Sequence, residues 1–109
     1  MNAIYTALGD NNMSYRALGV ATESQERATE LFEAELAAAL DEELADVDPD
    51  MAYPPTAYRI RSVKQRVTDD KGEYPNDGCY DSEKLNADNA ETLLDYPGEV
   101  MTLYKGNYV

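Results

Sequence analysis

The chain has no histidine and no tryptophan, one cysteine, one phenylalanine, and nine lysines and arginines against 22 acids among 109 residues. Each shortage closes a reading. Without histidine the commonest general base and metal ligand are missing. A lone cysteine, Cys79, cannot form an intrachain disulfide, which fits a reducing compartment. It stands in a Gly/Asp-rich loop with no histidine to activate it, so it reads as an ordinary loop thiol. The glycines of LGD (8–10) and GNY (106–108) are isolated, so no phosphate-cradling loop is present. No run approaches the roughly 20 apolar residues of a membrane span. The opening MNAIYTALGD lacks the basic and apolar regions of a leader. A net charge of −13 disfavours nucleic acid and anionic membranes as direct partners. The expectation is a soluble, cytoplasmic, non-enzymatic chain with no cofactor and no metal.

What remains is enough for a fold. Hydrophobic residues make up 43% of the chain, close to a globular composition, and the length suits one domain over 1–109. With so few large apolar side chains, the core must come from Leu, Ala, Val and Tyr. Nine tyrosines suit a half-buried sheet or a binding surface, because the ring is apolar and its tip polar.

Residues 2–8 read as a strand, GDNN (9–12) as a turn and 13–21 as its hairpin partner. Then the period changes. Ala28, Leu31, Phe32, Leu36, Ala39, Leu40 and Leu44 recur at spacings of three and four, one stripe of a helix over 23–45. Thr22 and Gln25 have the spacing of a capping box at its start. DVDPDMAYPPT (46–56) is a stiff connector. Residues 58–67 have strand composition, but their alternation slips after Arg61, which points to a bulge near Ser62. Residues 68–83 are turn-rich and have room for a short strand. A short helix (87–96) is capped by Asn86 and stopped by Pro-Gly, and 99–109 form a last strand. The fold class is α+β: an antiparallel sheet of about four strands with the long acidic helix packed on one face.

Three charge features compete for a role. Asp46, Asp48 and Asp50 have the spacing that opens a calcium loop. That loop needs Gly at its sixth position and an acid at its twelfth, where Met51 and Ala57 stand. A solvated helix exit is the better reading. Arg59, Arg61, Lys64 and Arg66 gather four bases in eight residues, which reads as a strand paired with neighbouring acids.

The third feature is the strongest. Residues 23–50 hold eleven acids and one base, Arg27, so most of the net charge sits there. Residues 28–58 contain no lysine or arginine. Glu26 and Glu30 form a like-charge i, i+4 pair, which costs a helix a few tenths of a kcal/mol. Asp41, Glu42, Glu43 and Asp46 crowd the C-terminal end, where the helix dipole disfavours anions. The chain accepts this cost to keep the surface negative. Glu23, Glu26, Glu30, Glu33, Asp41, Glu42 and Asp46 are therefore the candidate partner-binding residues. The partner expected is a basic protein surface, above all a groove built for nucleic acid, where carboxylates take the place of phosphates.

In size, acidity and lack of a catalytic set the chain resembles the small acidic inhibitors that phages and mobile elements use against CRISPR or restriction nucleases. That is a resemblance of type, carried by no shared motif. It implies a mimic of nucleic acid acting in the host-cell cytoplasm. The alternative is a halophile-adapted accessory or subunit protein without an inhibitory role. Against it, residues outside 23–50 carry eleven acids and eight bases, whereas a salt-adapted surface is acidic all round.

Overall fold

The computed structural model describes residues 1–50, 53–74 and 85–108. Four strands, β1 (Ala3–Asp10), β2 (Ser14–Thr22), β3 (Arg59–Arg66) and β4 (Met101–Asn107), form one sheet. Its order is β3-β1-β2-β4, with every neighbouring pair antiparallel. Two helices complete the chain, α1 (Gln25–Ala45) between β2 and β3 and α2 (Ala87–Asp95) between β3 and β4. The expected α+β class, strand number and helices are present.

Successive side chains of a strand point to opposite sides, and the sheet uses both. Tyr5 and Ala7 of β1 and Leu18 and Val20 of β2 join Ala28, Phe32 and Leu36 of α1 in one core cluster. Ile4 of β1 and Ala21 of β2 join Ala90 and Leu93 of α2, with Leu85, in a second. The alternation puts α1 on one face and α2 on the other. This explains why β1 and β2 are buried almost throughout: they are the central strands, covered on both sides.

Several boundaries differ from the sequence reading, each for a tertiary reason. Gly9 and Asp10 continue β1 instead of opening the turn. A Cβ on Gly9 would lie 2.8 Å from the Leu36 side chain, so glycine lets α1 come down onto the strand. The reversal falls at Asn11, whose Oδ1 accepts the Met13 and Ser14 N–H groups at 2.9 and 2.8 Å. Thr22 is not the cap of α1; it pairs with Ala3 in the sheet. Ser24 is the N-cap, accepting the Arg27 N–H at 3.1 Å. Gln25 donates instead to the Val63 carbonyl at 3.2 Å and ties the helix start to β3. At the far end Leu44 is exposed, because the last turn of α1 reaches the sheet through Glu43.

The bulge in β3 sits where the alternation slipped. The register against β1 shifts between Thr6 and Leu8, and Ser62 takes a positive φ of 59°. Asn86 caps α2, accepting the Asn89 N–H at 2.9 Å. The helix ends before Gly98, whose φ of 85° suits glycine and whose N–H donates to the Ala21 carbonyl at 2.8 Å. β4 is shorter than 99–109. The possible strand within 68–83 and the loop around Cys79 fall mostly outside the described residues. Among the described residues no helix is long and apolar enough to cross a membrane.

Candidate partner-binding surface

α1 turns its apolar stripe to the sheet, burying Ala28, Phe32, Leu36 and Ala39. The remaining arc of the helix faces outward and carries the charge. Glu26, Glu30 and Glu33 are all exposed and fall within about 60° of arc on the 3.6-residue period. Asp41 is exposed and continues that line. Glu42 is also exposed but lies about 100° round from Asp41, toward the flank. Glu23 is exposed and precedes the cap, and Asp46 is the C-cap residue at the opposite end. Four of the seven predicted residues, Glu26, Glu30, Glu33 and Asp41, thus form one ridge, with Glu23 just before its start. Glu42 borders it and Asp46 closes it.

Little offsets this charge. Arg27 meets Glu30 at 2.9 Å, with both side chains more than half exposed. Among the described residues no cation lies within salt-bridge distance of Glu23, Glu26, Glu33, Asp41, Glu42 or Asp46. The first turn has an acid, Glu26, but the last turn has no base. From Glu26 to Asp41 the axis runs roughly 22 Å, or about 7 Å between successive ridge carboxylates. One strand of duplex DNA carries a phosphate per about 3.4 Å. The ridge therefore carries about half the linear charge density of a single strand and falls further short of a duplex.

Glu43 behaves differently from its neighbours. It turns inward, half-buried, and accepts a hydrogen bond from the Tyr58 hydroxyl. Asn11 donates to its other oxygen at 3.2 Å, and Arg16 approaches at 3.5 Å. Ser14 lies 2.7 Å from the Tyr58 hydroxyl. Burial, and then the bond to Glu43, push the Tyr58 phenol above its ordinary range. Glu43 is a structural strut that fastens the end of α1 to β2, to the β1–β2 turn and to Tyr58, the residue before β3. Nothing in the run ELADVD marks it, because only the neighbouring strands supply its partners.

The basic strand shows a similar use of charge. Paired residues on antiparallel strands share a face. Arg59, Arg61, Lys64 and Arg66 pair with Asp10, Leu8, Thr6 and Ile4, so all four bases lie on the α2 side, away from the acidic ridge. Asp10 is buried and is held by Arg61, whose Nε donates at 3.1 Å, with Arg59 at 3.6 Å. The expected pairing of this strand with acids is realised at Asp10. The Arg61 hydrogen bond is the main cause that keeps the Asp10 carboxyl below its usual range, against the opposing effect of burial. A depressed carboxylate contributes stability above its unfolded value of about 3.9 and loses it as pH falls through the folded one. Asp10→Asn is expected to cost about 1–3 kcal/mol at neutral pH. The gap to the wild type should close on acidification below about pH 4, and urea unfolding across that range checks it.

Where α1 ends, a cleft of about 620 Å³ opens between the helix terminus, the β1–β2 turn and the end of β4. Tyr53, Pro55 and Tyr108 line it with Glu43, Asp46 and Lys105. Nearby, Asp48 accepts the Asp50 N–H at 2.9 Å, a tight local turn. Among the described residues no three acidic or sulfur side chains converge as a metal-binding group.

No family model matches the chain, and neither a curated protein nor a solved structure matches it.

Proposed function

We propose that this chain is a non-enzymatic inhibitor that lays the acidic ridge of α1 into a basic groove of a nucleic-acid-binding protein and occupies it in place of nucleic acid. The supporting observation is the outward row of Glu26, Glu30, Glu33 and Asp41, almost devoid of intramolecular cations on a helix whose packing does not need them. Leaving like charges unneutralised adds nothing to the stability of the helix, and the Glu26–Glu30 pair lowers it slightly. Presented to arginines and lysines, the same charges steer association and are neutralised on contact.

The test is competition. The immobilised chain should retain nucleic-acid-binding proteins from a host lysate, and heparin or short DNA added beforehand should prevent their retention. Retention that no polyanion competes with would sink the reading. The chain should not shift DNA or RNA in a gel at low salt, because the net charge repels phosphate and Asp10 already neutralises part of the β3 basic row. A retarded band at sub-micromolar chain would instead promote Arg59–Arg66 as a nucleic-acid surface.

A further inference from the structure

The exposed tyrosines stand out in a chain so short of large apolar side chains. Tyr53 is 82% exposed and Tyr108 54%, and both line the cleft at the end of α1. Tyr108 packs part of its ring against Tyr15, with centroids 5.3 Å apart, but folding does not account for leaving Tyr53 in water, and tyrosines at the mouth of a pocket are frequent anchors of protein interfaces.

The electrostatics of the cleft favour one sign of ligand. Glu43 and Asp46 line it against Lys105. The Glu43 oxygens are occupied by Tyr58, Arg16 and Asn11. Asp46 has no such partner among the described residues, which leaves its carboxylate for a ligand. The cleft also lies at the C-terminus of a 21-residue helix with no base in its last turn. The negative end of the helix dipole therefore adds to the attraction for a cation. Aromatic faces next to a carboxylate are a favourable environment for a guanidinium or ammonium group.

We infer that this cleft receives an arginine or lysine side chain of the partner protein, its cation set against the exposed Tyr53 ring and its charge met by Asp46. The inference rests on the reading of α1 as the surface that engages a basic partner. It adds a fixed anchor at one end of the ridge, and so a register for the bound groove.

The probe is N-acetyl-arginine amide titrated into the intact chain, with the neutral N-acetyl-citrulline amide as its control, followed through backbone amide resonances. Saturable shifts are expected around Asn12, Val47 and Asn107 with the arginine compound only. Tyr53→Ala and Asp46→Asn should each weaken binding about two- to fivefold, the range of an exposed cation–π or ion-pair contact. Lys105→Gln should strengthen it. The chain carrying E26K, E30K and E33K should titrate as the wild type does, so the cleft is read independently of the ridge. Equal shifts with citrulline, shifts spread along α1, or weakening by Lys105→Gln with strengthening by Asp46→Asn would each overturn the inference. Absence of cleft shifts alongside a working competition assay would remove the anchor and leave the ridge reading intact.

Discussion

A chain with Glu26, Glu30 and Glu33 all changed to lysine is expected to fold normally and to lose its captured partner by about a hundredfold or more. The fold should survive because all three side chains are exposed and lysine is a good helix former. Two small terms are lost. The exposed Arg27–Glu30 pair is worth about 0–1 kcal/mol, and the favourable placement of Glu26 in the first turn about 0.3–1 kcal/mol. Removal of the Glu26–Glu30 repulsion offsets part of this. Binding should respond much more. A charge-assisted hydrogen bond to a partner base is worth roughly 1.5–3 kcal/mol before desolvation. Reversal replaces that gain with repulsion, so a net loss near 1 kcal/mol at each of three sites already gives a factor of about 10². Most of the loss should appear in the salt-dependent association rate. Asp70→Lys with Glu73→Lys and Glu91→Lys, also exposed, changes the net charge equally away from the ridge and should cost far less. Equal losses in the two triple variants would mean that total charge, not this surface, governs binding. Calorimetry or surface resonance against the captured protein, with circular dichroism as the folding control, decides between them.

Phe32→Ala is expected to destabilise the fold by about 3–5 kcal/mol, the usual range for a phenylalanine removed from a core. Phe32 is the only phenylalanine and is fully buried. It sits among Tyr5, Leu18, Val20 and Leu36, where α1 meets the two central strands. The surrounding side chains are mostly small or belong to central strands, so collapse into the space left behind is limited. A chain of this length has a total stability of about 5–15 kcal/mol. The loss is therefore a third or more of the whole in most of that range. The midpoint of thermal unfolding should fall by at least about 12 °C. Phe32→Leu keeps most of the volume and should cost much less. A shift below about 4 °C for the alanine variant would show that the contact between α1 and the sheet is not the principal core. Because the outer ridge is untouched, partially folded Phe32→Ala at low temperature should bind in proportion to its folded fraction. That separates stability from recognition.

The local elements were legible because their signals are local. Ala28, Phe32, Leu36 and Ala39 mark α1 through a period that any isolated window shows. The slip of alternation after Arg61 marks the bulge at Ser62, and Asn86 marks the start of α2 by the reach of its own side chain. The negative ridge was equally legible, since exposure follows once the apolar stripe is assigned. Tertiary structure decided what depends on residues distant in the chain. The order β3-β1-β2-β4 is a choice among pairings that similar strand patterns permit. Thr22 looked like a cap but had a better partner in Ala3, which left the cap to Ser24. Gly9 looked like a turn because glycine is common there, whereas its role is to admit Leu36 from a helix 27 residues away in sequence. Glu43 was one acid in an acidic run until Tyr58, Arg16 and Asn11 surrounded it. The cleft of Tyr53, Asp46 and Tyr108 joins the helix exit to the last strand, and no pattern along the chain relates them. Periodicity reports which side of an element is buried; only the packed sheet determines which residues from separate elements meet there.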